Sequence, residues 1–268
     1  MIYALLRRRI WLWQNRLMLS LVFLLVIPII LTAMIVLPFK NIFVNSLTDM
    51  PFEQWVAPGL IFIISSIALV PFLYREFFSL RIHRKMLVHI SMAPYTKQKI
   101  IFGYLTVAVL EALLIGLVSL VILSVLIPVH LSASELLMLT IQLIIYLCIL
   151  GNLIFTIALA IDAVTPFLFI SFYLIILVIF GNGFIVEFGF FPIAVESILK
   201  LQTLSLPYQS LQIIITGRVM EWSKFGISLL LSVNLKYILM VSVSLTILPG
   251  TTKPPNRKFI FDGTSPCV

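Results

Sequence analysis

The sequence predicts an all-α integral membrane protein with six transmembrane helices. Its 268 residues are 62% hydrophobic and only 10% charged, with a mean hydropathy of +1.19, which is more apolar surface than a soluble core of this length can bury. The charged residues also fall into short segments that separate long apolar runs. Because the net charge of +8 is distributed in this way, it indicates membrane topology, and we expect no nucleic-acid partner.

Six apolar runs have the composition of membrane spans. A helix crosses a hydrocarbon core of about 30 Å with about 20 residues. Pro28 permits a kink in the first span, and Pro58 is expected in the first turn of the second, where a proline costs little. The predicted spans are residues 17–37, 58–74, 100–127, 135–161, 166–180 and 225–248.

Residues 1–16 predict an amphipathic helix at the membrane interface. An arginine triplet at residues 7–9 accompanies Leu6, Ile10 and Trp13, which recur at spacings of three and four. This pattern is typical of an interfacial helix. A basic flank of the first span, with its tryptophans in the aromatic belt, is the alternative.

The distribution of Lys and Arg predicts that both termini are cytoplasmic. Thirteen of these residues fall in residues 1–16, residues 75–99 and the tail 249–268, whereas four fall in the segments on the other side. Cytoplasmic segments carry the excess of positive charge. We therefore expect a multi-pass protein of the plasma membrane, and the absence of an Asn-x-Ser/Thr acceptor favours a bacterial origin, where this is the inner membrane.

Residues 75–99 form the most basic segment between two spans. Arginines and lysines alternate there with aromatic and aliphatic residues, as in an amphipathic helix on the membrane surface. One interpretation is a charged loop that only fixes topology, and the other is a docking helix for a cytoplasmic partner. The residues that would contact such a partner are Arg75, Glu76, Phe78, Arg81, Arg84 and Lys85.

Residues 181–224 are too polar and too interrupted to span a bilayer, yet too apolar for an ordinary loop. Two short helices are predicted, one beginning at Pro192 and one at Pro207, the second containing Tyr208 and ending at Gly217. We expect them to be re-entrant in the outer leaflet, where any non-helical backbone must be buried in protein or line water.

Among the polar residues inside predicted spans, Glu111, Asn152 and Lys236 are candidates for a functional role. Counted from the starts of their spans, Glu111 lies about 16 Å and Lys236 about 15 Å deep, so both are expected near the middle of the bilayer. An unpaired charge there is costly, and each side chain is a candidate partner for the other. Misplaced span ends with a snorkelling Lys236 are the alternative.

No motif in the chain predicts catalysis. There is no phosphate-binding loop, no hydrolase Gly-x-Ser-x-Gly elbow and no zinc-binding His or Cys pattern. The two cysteines, Cys148 in an apolar run and Cys267 in the tail, do not predict a disulfide. We therefore expect no catalytic residue, no metal site and no cofactor, and we do not expect an enzyme.

Several short motifs resemble the signature region of type-2 ATP-binding-cassette (ABC) exporter permeases. A second group resembles the short re-entrant helices that precede the last span in that family. The first group comprises Trp55 with Pro58-Gly59, Ser65-Ser66, Arg75-Glu76 and Ala93-Pro94 before Gly103, and the second comprises Ser205-Leu206-Pro207-Tyr208 followed by Gly217-Arg218.

The resemblance implies a permease subunit of an ATP-driven exporter for a drug, peptide, lipid or glycan. Such a subunit pairs with a second copy or a sister permease, and it uses separate ATPase subunits that contact the N-terminal helix and residues 75–99. Two alternatives stay open. One is a membrane enzyme that processes lipids, and the other is a non-transporting subunit that confers immunity or anchors a partner.

Overall fold

All the regular secondary structure that the computed structural model describes is helical. The described residues are 2–15, 17–42, 46, 50–75, 97–127, 132–161, 163–216, 222–232 and 234. None of these ranges contains a strand. The prediction of an all-α fold is therefore confirmed for this part of the chain.

Four helices within the described ranges are long and apolar enough to cross a membrane. They correspond to the second, third, fourth and fifth predicted spans. Each of these helices is apolar on all sides, and such a helix must face either protein or lipid. In order they are α4 (Phe52–Leu73), α5 (Lys97–Leu126), α6 (Ala133–Ala160) and α7 (Val164–Gly181).

The start of α4 differs from the prediction. The helix begins at Phe52, with Pro51 as its N-cap and Glu53 in its first turn, so Pro58 lies inside the helix rather than in its first turn. A carboxylate in the first turn interacts favourably with the helix dipole. Glu53 also pairs with Lys40 at 2.5 Å, which fixes the end of the preceding helix beside the start of α4.

Residues 17–40, which include the first predicted span, are helical but change geometry after Pro28. They comprise α2 (Leu17–Leu31), a π-helical turn (Thr32–Val36) and α3 (Leu37–Lys40). The Thr32 hydroxyl donates a hydrogen bond of 2.7 Å to the Pro28 carbonyl. Proline removes one helical hydrogen bond, and the wider turn begins four residues later. Near the other end of the chain, residues 222–232 are helical.

The core forms around α4, which packs against α5, α6 and α7. Its apolar window is 78% buried, whereas that of α7 is 22% buried. Two glycines permit the close packing, since a Cβ at Gly116 would overlap the Ser65 hydroxyl and one at Gly151 would lie 2.9 Å from Leu105. The second predicted span is therefore the central helix of this chain.

Two short helices follow α7, close to their predicted positions. They are α8 (Ile193–Leu201) and α9 (Leu206–Ile215). Helix α9 packs on α6 and buries residues 207–211, whereas α8 buries no residue. The prediction of two short helices is confirmed.

Helix α1 (Ile2–Gln14) packs along α5 rather than standing alone. Leu5 contacts the pair formed by Ile100 and Tyr104, and Arg9 is buried. Of the predicted apolar stripe, Leu6 and Trp13 are partly buried, whereas Ile10 is 58% exposed. The helix is rotated so that an arginine faces the bundle.

Candidate functional site

Arg9 is a buried arginine in a helix whose neighbouring arginines are exposed. Arg9 is 8% exposed, whereas Arg7 and Arg8 are exposed residues. The Arg9 Nε donates to the Glu111 Oε2, and the two groups form an ion pair. Buried charges are normally paired in this way, because an unpaired one carries the full cost of desolvation.

The other carboxylate oxygen of Glu111 also has a partner. The indole Nε1 of Trp13 donates to Glu111 Oε1 at 2.6 Å, and Glu111 is 7% exposed. Arg9 and Trp13 are four residues apart, so both project from the same face of α1. One carboxylate on α5 therefore receives two donors from α1.

The same arginine contacts the end of the central helix. The guanidinium carbon of Arg9 lies 4.5 Å from the centroid of the Phe72 ring, which is the geometry of a cation–π interaction. Phe72 lies in the last turn of α4, three residues before Arg75. The Arg9–Glu111 joint, which we define as Arg9, Trp13, Phe72 and Glu111, thus connects α1, α4 and α5.

The joint lies near the end of α4. Leu69 and Val109 both lie within 4 Å of a Cβ built on Gly151, so Arg75, six residues after Leu69, is level with about residue 103 of the antiparallel α5. The first turns of α5 therefore extend past α4. The depth of Glu111 in the bilayer stays a prediction.

Lys236, the partner proposed for Glu111 from the sequence, lies outside the described residues, as does Gly217. Their pairing and position stay predictions. The sequence reasoning missed Arg9 and Trp13 as partners of Glu111. The available signal was a buried acid in a span together with an arginine and a tryptophan spaced i, i+4 on the helix preceding the first span.

Asn152 lies in the core of α6 and is 2% exposed. Its amide nitrogen donates to the Cys148 carbonyl at 2.7 Å, which is a local bond within the helix. No contact joins it to the Arg9–Glu111 joint in the described residues. Its place in the core gives it a packing role rather than a shared site with Glu111.

A second cluster lies around the other end of α4. Tyr208 of α9 is fully buried, and its ring lies 4.7 Å from that of Phe184 and 5.5 Å from that of Phe62. Its hydroxyl donates to the Trp55 carbonyl at 3.4 Å. Burial raises the pKa of the Tyr208 hydroxyl, so it stays protonated and can donate. We call Trp55, Phe62, Tyr146, Phe184 and Tyr208 the aromatic cluster.

Gly59 explains why this cluster can close. A Cβ at Gly59 would overlap the carbonyl oxygen of Phe184 and lie 3.0 Å from the Tyr208 hydroxyl oxygen. The non-helical segment 182–186 therefore rests directly on the backbone of α4, and Gly183 has a φ of +76°, a conformation that glycine adopts without strain. Residues 182–185 of this irregular segment are buried, and the position of the segment in a membrane stays a prediction.

The predicted residues of segment 181–224 separate in the structure. Pro207 is buried on α9 beside Tyr208, whereas Pro192 is exposed as the N-cap of α8. Among the residues that the structure describes, several buried side-chain amide atoms have no hydrogen-bond partner. They include both amide atoms of Gln142 and Asn182 and the amide nitrogen of Gln212.

The basic segment is described only at its two ends. Arg75 is exposed at the end of α4, and Lys99 is exposed near the start of α5. The remaining residues proposed to contact a partner, Glu76, Phe78, Arg81, Arg84 and Lys85, lie outside the described residues.

The polar groups of the Arg9–Glu111 joint hold α1, α4 and α5 together. Neither the joint nor the aromatic cluster places a nucleophile beside a base. Comparison of the chain with protein-family models, with curated proteins and with solved structures finds no match.

Proposed function

We propose that this chain is the membrane-spanning permease subunit of an ATP-driven ABC exporter of the type-2 class. It would move a drug, peptide, lipid or glycan outward, and separate ATPase subunits would hydrolyse the ATP. In this proposal the chain has six spans, cytoplasmic termini and re-entrant α8 and α9, and it lies in the plasma membrane of a bacterium.

The observation that carries the proposal is the course of α4. The helix is the most buried of the four candidate spans, and it extends from the aromatic cluster to Arg75, where the segment proposed to receive an ATPase begins. A motion applied to residues 76–96 would therefore reach the core through one rigid helix. The Arg9–Glu111 joint braces this end of α4 against α1 and α5.

The position of α9 supports the proposed re-entrant segment. Tyr208 contacts Trp55 and Phe62 of α4, which are three and ten residues after the start of that helix. A depth of up to about 15 Å follows from the helix rise. A helix that reaches this level beside a span, as α9 does, would lie within the outer leaflet.

The proposed second copy needs an exposed apolar surface. Helix α4 is mostly covered by its own chain, whereas α7 exposes Phe169 and Phe172, at 73% and 63%. In a membrane such a surface faces lipid or another helix. We therefore propose that a second permease subunit would pack on the fifth span.

The test is association with an ATPase and stimulation of its activity. The chain is co-expressed with a candidate ABC ATPase subunit from the same organism, and the purified complex is assayed for ATP hydrolysis. The charge-reversal variant Arg81→Glu/Arg84→Glu should lose most of the stimulation, whereas Lys200→Glu, on exposed α8, should retain it. Absence of association with the ATPase, or full stimulation by the Arg81/Arg84 variant, would contradict the proposal.

The same assay separates the alternatives. A non-transporting anchor would bind the ATPase without changing its rate of hydrolysis. A lipid-processing enzyme would show neither association nor stimulation.

A further inference from the structure

Helix α8 exposes its large apolar side chains, although it is too short to span a membrane. None of its nine residues is buried, and Ile193, Ile198 and Leu201 are 86%, 70% and 80% exposed. In a helix with 3.6 residues per turn, these three side chains fall within one half of the circumference. We define them as the free face of α8.

The opposite side of α8 holds its contact with α7, and its two charged residues pair with each other. Leu199 lies 3.8 Å from a Cβ built on Gly181 at the end of α7. Glu196 and Lys200 form an ion pair at 2.5 Å, and they are the charged residues of the helix, so α8 carries no net charge. The free face therefore points away from α7 and is uncharged.

The segments on both sides of α8 lie beside the first two turns of α4. Before the helix, Phe190 lines a small cavity together with Trp55. At the end of the helix, the Lys200 carbonyl accepts a hydrogen bond of 3.0 Å from the Gln209 side chain of α9. The neighbouring Tyr208 donates to the Trp55 carbonyl. Helix α8 therefore lies at the level at which α4 begins.

The length of α4 relates this level to a membrane. Its 22 residues extend over about 33 Å, which matches a hydrocarbon core of about 30 Å. The first two turns of α4 therefore lie within about 10 Å of one membrane boundary. An amphipathic helix at an interface buries its apolar face to a depth of about 5–10 Å. The free face of α8 thus lies at the depth at which such a face meets acyl chains.

We propose that the free face of α8 inserts among the acyl chains of the leaflet in which α4 begins. Helix α8 is then the lipid-facing member of the helix pair, and α9, which buries residues 207–211, is the protein-facing member. Because the two charges of α8 pair with each other, this contact depends on hydrocarbon and not on the charge of the lipid head group. The proposal requires only a membrane protein, and it holds whether or not an ATPase binds.

A second copy of this chain is the alternative occupant of the free face. Three aliphatic side chains offer about 180–360 Å² of apolar surface, well below the about 800 Å² that each partner contributes to a stable interface. Phe172, proposed above to contact a second subunit, precedes Gly181 by nine residues and lies about 13 Å along α7 from that end. The small area of the free face therefore favours lipid.

The experiment measures the quenching of a fluorophore on α8 by brominated phosphatidylcholine in liposomes. The full-length chain, with Cys148→Ser and Cys267→Ser, is labelled with bimane at Ile198→Cys. Leu114→Cys, at a position 60% exposed in the middle of α5, is the control deep in lipid. Ser134→Cys, exposed near the start of α6, is the control in water. The bromine atoms lie near either the carbonyl end or the methyl end of the acyl chains.

Bromine near the carbonyl end should quench position 198 more strongly than bromine near the methyl end, because the free face lies close to the interface. Position 114 should show the reverse order, and position 134 should be quenched by aqueous iodide but by neither lipid. Brominated phosphatidylglycerol should quench position 198 as strongly as brominated phosphatidylcholine does. Leu201→Cys, on the same face, should repeat the result for position 198.

Three results would overturn the proposal. The first is the absence of lipid quenching at positions 198 and 201. The second is quenching that occurs only with phosphatidylglycerol, which would indicate a site for an anionic head group. The third is quenching that appears only when the protein is diluted into excess lipid, which would indicate that a second copy covers the face.

Discussion

Removing both members of the Arg9–Glu111 pair should destabilise the chain by clearly less than the sum of the two single losses. Glu111→Ala leaves the buried Arg9 guanidinium without its carboxylate and the Trp13 indole without its acceptor. Breaking a buried pair from one side costs about 3–5 kcal/mol. Because the joint lies near the end of α4, Arg9 can partly reach water, and we expect about 3 kcal/mol for Glu111→Ala and a similar loss for Arg9→Ala.

The double variant Arg9→Ala/Glu111→Ala removes both charges and leaves no uncompensated ion. We expect its loss to fall about 2 kcal/mol short of the sum of the single losses, because interacting residues show coupling energies of about this size. The assay is equilibrium unfolding in detergent, followed by tryptophan fluorescence and by circular dichroism. Arg9→Glu/Glu111→Arg should recover part of the stability.

The control is an exposed ion pair in the same chain. Lys200 and Glu196 lie four residues apart on α8 at 2.5 Å, and exposed pairs of this kind couple by about 0.3–0.5 kcal/mol. A cycle on Lys200→Ala and Glu196→Ala should give no more than this. If the Arg9/Glu111 losses are additive, or if their coupling equals that of the α8 pair, the joint contributes nothing specific and the reasoning fails.

Three further substitutions test the core and one helix cap. Gly59→Ala places a methyl group against the Phe184 carbonyl and should cost about 1–3 kcal/mol, whereas Gly226→Ala, with nothing within 4 Å, should be neutral or stabilising in thermal unfolding. Ser66→Ala removes the 2.7 Å hydrogen bond to the buried Tyr146 hydroxyl and should lower the free energy of unfolding by about 1–3 kcal/mol, with Ser232→Ala on an exposed helix as the neutral comparison. Ser132→Ala breaks the capping box with Glu135 and should lower the free energy of unfolding by about 0.5–2 kcal/mol. An unchanged free energy of unfolding would contradict a stabilising cap.

Apolar run length predicted α4, α5, α6 and α7 because a helix in lipid must satisfy its own backbone and expose apolar side chains. It placed the start of α4 six residues late, since Pro58 was assigned to a first turn that Pro51 and Glu53 begin earlier. Proline inside a membrane helix is tolerated, so its position alone does not mark a boundary.

The Arg9–Glu111 joint could not be read from the sequence for a different reason. Its two charges are 102 residues apart, and periodicity on one helix does not report which helix will pack against it. The stripe through Leu6, Ile10 and Trp13 predicted an apolar face of α1, but it did not predict that the pair with Glu111 turns Arg9 toward the bundle. The charge partner of Arg9 comes from a distant helix, so the pattern on α1 alone could not identify it.

The aromatic cluster was foreseen only in part. Tyr208 and Gly59 were singled out by resemblance, but their contact depends on the chain returning between α7 and α8 through Gly183. The local sequence around a glycine does not specify which backbone segment will pack against it. The aromatic cluster forms because segment 182–186 packs against α4 at Gly59.

The most direct test of the account is a cross-link from the basic segment to an ATPase subunit. Cys148 and Cys267 are replaced by serine, and Phe78→Cys is introduced with a short thiol-reactive cross-linker in the complex with the candidate ATPase. The account predicts a cross-link between position 78 and the ATPase whose yield changes with ATP, and no cross-link from Leu201→Cys on α8. No cross-link at position 78, or an equal yield from position 201, would contradict the proposal that residues 75–99 couple this membrane domain to an ATPase.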